Sequence, residues 1–251
     1  MRPLPVELYR IIAQYVERRR DLVSFSLASR SVQSEVEPEL YRSLHLWDRF
    51  YTSTAWPHAA VVQILEQLAN NPRLASYIHT LHISCYTNIC PLVTPVLCAT
   101  VNLKQLAIYI SSGIPLDLHN FPTTFQLDWL AATVGKWPLE QEEIDFFERQ
   151  AELREMEWHY ILTPHYDLPF SLPKLRTLSL RGQAGARAIL LQQTVSNLSQ
   201  EDGFSGYQHG DVFTSVWSLK MSKPLEVRHA KQFPNLRYLS TTVSILTALV
   251  R

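Results

Sequence analysis

The stretch Leu172-Pro173-Lys174-Leu175-Arg176-Thr177-Leu178-Ser179-Leu180 decides how the chain is read. Leucines 175, 178 and 180 are spaced three and two apart, so the last two share one face of an extended strand. Pro173 cannot continue a preceding helix, which sets a boundary just ahead of that strand. The same order returns in Phe233-Pro234-Asn235-Leu236-Arg237-Tyr238-Leu239. Working outward, the apolar triplet recurs as Ile78, Leu81, Ile83; as Leu103, Leu106, Ile108; as Leu153, Met156, Trp158; and as Val216, Leu219, Met221. First positions 78, 103, 153 and 175 are separated by 25, 50 and 22 residues, which fits a unit of about 20 to 29 residues with one copy hidden near Phe125 to Leu130.

A unit of this length cannot bury its own apolar face, so stacked neighbours must complete the core. The triplets predict short parallel strands, with Pro138 to Ala151 and Ala184 to Leu198 as helices on the convex side. The pattern resembles degenerate leucine-rich repeats. That resemblance implies a solenoid whose concave face carries the outward strand residues His82, Ala107, Glu157, Ser179, Lys220 and Ser240, the candidate contacts for a target protein. The chain departs from the family where an asparagine or cysteine normally follows the strand: Tyr86, Ser111, Ile161, Gln183 and Pro224 stand there. A generic α/β layer with coincident leucine spacing is the competing reading.

Toward the N-terminus the periodicity changes. Leu8, Ile12 and Val16 are four apart, with Ile11 and Tyr15 beside them, which predicts an amphipathic helix entered through Pro5, with Glu7 near its positive end and Arg18 to Arg20 at its negative end. Asp21 is placed to cap a second helix carrying Leu22, Val23, Phe25 and Leu27, and a third is expected from about Arg30 to Val36, stopped by Pro38. Leu40 to Leu46 then turns toward alternation, an extended exit. Three helices in some forty residues are too few to enclose a core, so apolar surface is left for the rest of the chain or for a partner.

The series Leu4-Pro5, Glu7-Leu8, Ile12, Val16, Asp21-Leu22, Ser26-Leu27, Ser29-Arg30, Pro38, Leu40-Tyr41-Arg42 and Leu44-His45-Leu46 resembles an F-box, most closely the fungal form. Tyr41 stands where a tryptophan is common. The resemblance covers about one-sixth of the chain. It implies that Leu4, Pro5, Leu8, Ile12, Val16, Leu22 and Leu27 meet a Skp-family adaptor, which bridges to a cullin scaffold and a ubiquitin-conjugating enzyme. The competing reading is a helical cap docked on its own repeats. The expected organisation is α/β: a three-helix F-box over 1–46, a connecting segment with a helix at Ala59 to Ala69 over 47–73, and an irregular leucine-rich-repeat solenoid with a parallel sheet and convex helices over 74–251.

Composition is that of a globular protein and names no partner. The chain has 251 residues, 46% of them hydrophobic, enough for a sizeable core. Charged residues are 18%, and 23 Lys and Arg balance 23 Asp and Glu, so no global field attracts nucleic acid or anionic lipid. Neither a signal peptide nor a membrane span is expected, since the N-terminus passes straight into charged residues and the longest apolar stretches, Pro91 to Val101 and Val243 to Val250, reach about half of the ~20 residues a span needs. Cys85, Cys90 and Cys98 are too few and too clustered for a disulfide framework, which points to a cytoplasmic or nuclear setting. Only seven glycines occur, which disfavours phosphate-cradling loops.

Other signals are weaker. His79, His82, Cys85 and Cys90 include good zinc ligands, but their spacing fits no common zinc module and no metal or other cofactor is expected. Glu140, Glu142, Glu143 and Asp145 read as the acidic first turn of a helix rather than as an acid–base site. His159, His165 and Asp167 are the residues around which an enzyme would have to be built, and no nucleophile elbow or nucleotide fingerprint accompanies them. The expectation is a non-catalytic, substrate-recruiting ligase subunit; the alternative is a repeat-based scaffold with no ligase role.

Overall fold

The computed structural model describes residues 4–47, 58–85, 90–110, 125–134, 141–160, 171–181, 194–200, 212–221 and 231–241. Helices α1 (Val6–Gln14), α2 (Arg19–Ser26) and α3 (Arg30–Arg42) lead directly into β1 (Ser43–Trp47). Then follow α4 (His58–Ala69), α5 (Pro72–Ala75), β2 (Thr80–Cys85), α6 (Cys90–Ala99), β3 (Gln105–Ile110), β4 (Trp129–Val134), α7 (Gln141–Arg149), β5 (Glu155–Tyr160), β6 (Thr177–Arg181), β7 (Asn197–Gln200), β8 (Ser218–Met221) and β9 (Tyr238–Thr241).

The nine strands form one parallel sheet in sequence order, a solenoid in which each turn adds one strand beside the last. The register aligns Leu44, Leu81, Leu106, Leu130, Met156, Leu178, Leu198, Leu219 and Leu239, in steps of 37, 25, 24, 26, 22, 20, 21 and 20 residues. The three-and-two apolar spacing holds on seven of the nine strands; on β7 and β9 a polar residue, Gln200 or Thr241, stands at the third place. Three copies went unrecognised in the sequence reading: Tyr41-Leu44-Leu46, Leu127-Leu130-Ala132 and the partial Val195-Leu198-Gln200. The second of these is the copy expected near Phe125 to Leu130.

Helices α4, α6 and α7 supply Val61, Leu65, Leu68, Val93, Val96, Leu97, Phe146 and Phe147 to the same core as the strand leucines. Large and small residues alternate where they meet. Trp158 is fully buried beside its register partner Ala132, and Phe147 packs on it at 5.0 Å between ring centroids. An aromatic of that size fits the strand position because its neighbour gives up volume.

Polar stitches join the turns ahead of the strands. Asn102 Nδ2 donates to Ser76 O (2.7 Å), Asn235 Nδ2 to Thr214 O (2.7 Å) and Thr194 Oγ1 to Leu172 O (3.5 Å). Buried Gln150 accepts the Leu127 amide at 2.9 Å. The Gln150 bond satisfies a buried backbone amide that would otherwise be orphaned, and the others tie neighbouring turns together nearer the surface. The positions where the family's asparagine was sought, Tyr86, Ser111, Ile161, Gln183 and Pro224, lie outside the described residues.

Several expectations are corrected. Pro38 does not stop the third helix: α3 runs through it to Arg42. An internal proline costs about 3 kcal/mol, which burial of Val32 and Val36, about 1.5–3 kcal/mol each, offsets, with partly buried Leu40 and Tyr41 packed alongside. No side chain caps α2, whereas Ser29 caps α3, accepting the Val32 amide at 3.2 Å. Asp21 lies inside the first turn of α2, whose N-cap is Arg18. Arg19 and Arg20 open α2 rather than close α1, and Arg19 Nη1 donates to Ser43 O (3.1 Å), tying α2 to the start of the sheet. The boundary drawn at residue 46 therefore passes through β1. Finally, Asn197 and Leu198 belong to β7 and not to a helix, while 184–193 lie outside the described residues. The Pro138 to Ala151 helix is present as α7.

Candidate partner-binding surfaces

The three N-terminal helices have a small core of their own: Ala13, Leu22, Val32 and Val36, with Tyr9, Val16, Phe25 and Leu40 packed against it. Both α1 and α2 lean on α3, and the Tyr9 and Phe25 rings meet edge to face at 6.2 Å. The unit is fastened to the solenoid by α3, where Glu37 pairs with Arg73 of α5 at 2.5 Å.

Helix α1 carries two apolar stripes. Tyr9, Ala13 and Val16 face the core, whereas Leu4, Leu8, Ile11, Ile12 and Tyr15, spaced four, three, one and three apart, face away from it. Leu8 is 38% exposed, Ile12 41% and Tyr15 81%. On α2 and its C-cap, Leu22 turns inward while Val23 and Leu27, four apart, turn outward, Leu27 to 79% exposure. Eight of the thirteen exposed large hydrophobics among the described residues fall within 4–27, so the exposure is concentrated, not scattered.

Of the adaptor-facing residues expected from the sequence, Leu4, Pro5, Leu8, Ile12 and Leu27 are open to solvent. Leu22 and Val16 are not: they hold the helical core together. Val6, Ile11, Tyr15 and Val23, outside that expected set, are exposed on the same helices.

The second surface is the outward side of the sheet. The register places His82, Ala107, Glu157, Ser179, Lys220 and Ser240 in one row, together with His45, Ala131 and Ser199, which the sequence reading omitted. Within this row Ala107 and Ala131 are fully buried, so neither is a contact surface. The geometry explains the first. Strands β2 and β4 flank β3 and lie about 9–10 Å apart, yet the His82 and Trp129 rings approach to 5.2 Å. They close over β3, and only a methyl group fits beneath.

His45 continues the ladder, its ring 4.4 Å from that of His82. Burial, and then the neighbouring His45, push His82 down to about 4. Burial and the Arg19 guanidinium also lower His45. Both shifts disfavour the charged imidazolium on this platform. Beside it lies a cleft of about 430 Å³ lined by His82, Gln105, Asp128, Trp129, Arg154 and Glu155.

Among the described residues no three His, Cys, Asp or Glu side chains are disposed to hold a metal ion, and the Cys98 thiol is exposed and free of any disulfide. His165 and Asp167 lie outside the described residues. No helix among the described residues is long and apolar enough to cross a membrane. Neither a family model nor a curated protein matches the chain.

Proposed function

We propose that the chain is a substrate-recruiting subunit of a Skp-cullin-F-box ubiquitin ligase acting in the cytoplasm or nucleus, with an F-box over α1 to α3 and a degenerate leucine-rich-repeat solenoid behind it. The observation that carries this reading is the outward apolar stripe of α1 and α2. A helical unit whose own core uses Tyr9, Ala13, Val16 and Leu22 has no internal need of Leu4, Leu8, Ile12 and Leu27 on its opposite face. Their exposure favours a protein partner that seals them.

The sheet's outward row then serves the target. In this role the chain performs no bond chemistry: it raises the local concentration of target and charged ubiquitin-conjugating enzyme and orients one to the other. Direct binding of the purified chain to a purified Skp-family adaptor tests the proposal. Capture is expected, and Leu8→Asp with Ile12→Asp should abolish it while the circular dichroism of the solenoid stays unchanged. Undiminished capture by that double variant removes the assignment. The second reading, an interaction scaffold outside any ligase, draws on the solenoid alone and gains if the wild-type chain ignores the adaptor.

A further inference from the structure

At one end of the sheet, the residue immediately before each strand forms a register row of its own. Its backbone is a ladder in which each amide donates to the carbonyl one turn earlier: His79 to Arg42 at 2.9 Å, Lys104 to His79 at 2.8 Å, Asp128 to Lys104 at 2.8 Å, Arg154 to Asp128 at 3.0 Å, Arg176 to Arg154 at 2.8 Å, Ser196 to Arg176 at 2.9 Å, Trp217 to Ser196 at 3.1 Å and Arg237 to Trp217 at 2.8 Å. The row is rich in exposed cations, although the chain as a whole is neutral.

Two of these cations are singular. Arg154 and Arg176 stand on adjacent turns, about 5 Å apart along the sheet, and neither guanidinium has a hydrogen-bond or ion-pair partner among the described residues. Like charges in register repel, so the fold gains nothing by placing them together. Lys174 joins them in lining a cleft of about 400 Å³ with Pro173, Leu175 and Thr194. The acid nearest to hand, Glu152, is taken by Lys174, with contacts of 2.5 and 2.7 Å. Arg154 also borders the neighbouring cleft under Trp129 together with Asp128 and Glu155, neither of which forms an ion pair with it, whereas Arg176 lines only the cationic cleft.

We infer that the Arg154–Lys174–Arg176 cleft receives a short acidic segment of the target protein, two carboxylates set two residues apart on an extended chain. The spacing suits two guanidinium forks on neighbouring turns, each taking one carboxylate side-on. A phosphate is less well served. The backbone amides of Arg154, Arg176 and Thr177 are consumed by the carbonyl ladder, so no nest of free N–H groups is offered. A nucleic acid backbone, longer than a two-charge segment, would reach past the cleft to Asp128 and Glu155. The inference rests on the sheet side being the target-binding one, as proposed above, and is independent of adaptor docking.

The test is fluorescence anisotropy on the full chain, with a fluorescein-labelled peptide bearing two glutamates separated by one serine. Comparison probes are the same peptide with glutamines, the same peptide with phosphoserines in place of the glutamates, and a single-stranded RNA. Saturable binding of the glutamate peptide is expected, weakening roughly tenfold for the glutamine version and roughly tenfold in Arg154→Gln with Arg176→Gln. Arg154→Glu with Arg176→Glu should transfer the preference to a lysine version of the peptide, a gain that misfolding cannot mimic. Equal binding of glutamate and glutamine peptides, no saturable binding, or a tighter hold on the phosphoserine peptide or the RNA would each overturn the inference. Adaptor capture, measured in parallel, reports separately. Capture without peptide binding sinks this inference alone, and peptide binding without capture sinks the ligase role alone.

Discussion

Leu27 offers the sharpest separation of interface from fold. A fully buried leucine contributes about 1.5–3 kcal/mol. At 79% exposure, roughly one-fifth of that, about 0.3–0.6 kcal/mol, is realised in the isolated chain, and about 1.2–2.4 kcal/mol is left for a partner to collect. Leu27→Ala should therefore weaken adaptor binding about 8- to 60-fold while lowering the melting temperature by only about 1–2 °C. Its neighbour Leu22, 9% exposed and part of the helical core, should behave oppositely. Leu22→Ala should cost about 2–5 kcal/mol of stability in that unit, and any loss of binding should track unfolding. Isothermal titration against the purified adaptor, paired with calorimetric melting, reads both quantities. If Leu27→Ala leaves the affinity within about twofold, the outward stripe is not the interface.

Two further outcomes follow from the sheet face. His82 is held at about 4 in the folded chain against about 6.5 when unfolded, so the unfolded state binds the proton first as pH falls. Stability is then complete above about pH 6.5 and is lost on the way down to about pH 4, by about 1–2 kcal/mol once solvent screening of a partly exposed ring is allowed for. Thermal melts across that range should show the loss in the wild type and much less of it in His82→Gln; a His82 resonance titrating near pH 6.5 would contradict the burial argument. Ala107→Leu should force the His82 and Trp129 rings apart, at about 1–3 kcal/mol in urea denaturation. A neutral result there would mean that the rings do not close over β3.

The three-and-two leucine spacing was enough to locate most strands, because the residues that bury on a strand repeat with the geometry of the strand itself. It failed where a non-leucine filled a place: Ala132 in β4 and Tyr41 at the end of α3 obey the spacing, but only their neighbours across the sheet reveal it. The apolar periodicity of α1 was equally legible, yet it could not say which stripe faced solvent. Leu8 and Val16 look alike in the sequence, and they part company only because α3 arrives on the side of Tyr9, Ala13 and Val16. Pro38 follows the same logic: local preference ends the helix, and the burial of Val32 and Val36, with Leu40 and Tyr41 packed alongside, overrules it. The pairing of Arg154 with Arg176 and the closure of rings over Ala107 join residues that are 22 and 47 positions apart, and they exist only once the turns are stacked. Sequence alone thus determined most of the strands and the amphipathic helices, since those depend on near neighbours along the chain, but not β7, which it read as helix. Exposure, charge clustering and shape were decided by the tertiary structure, because each depends on what the fold brings alongside.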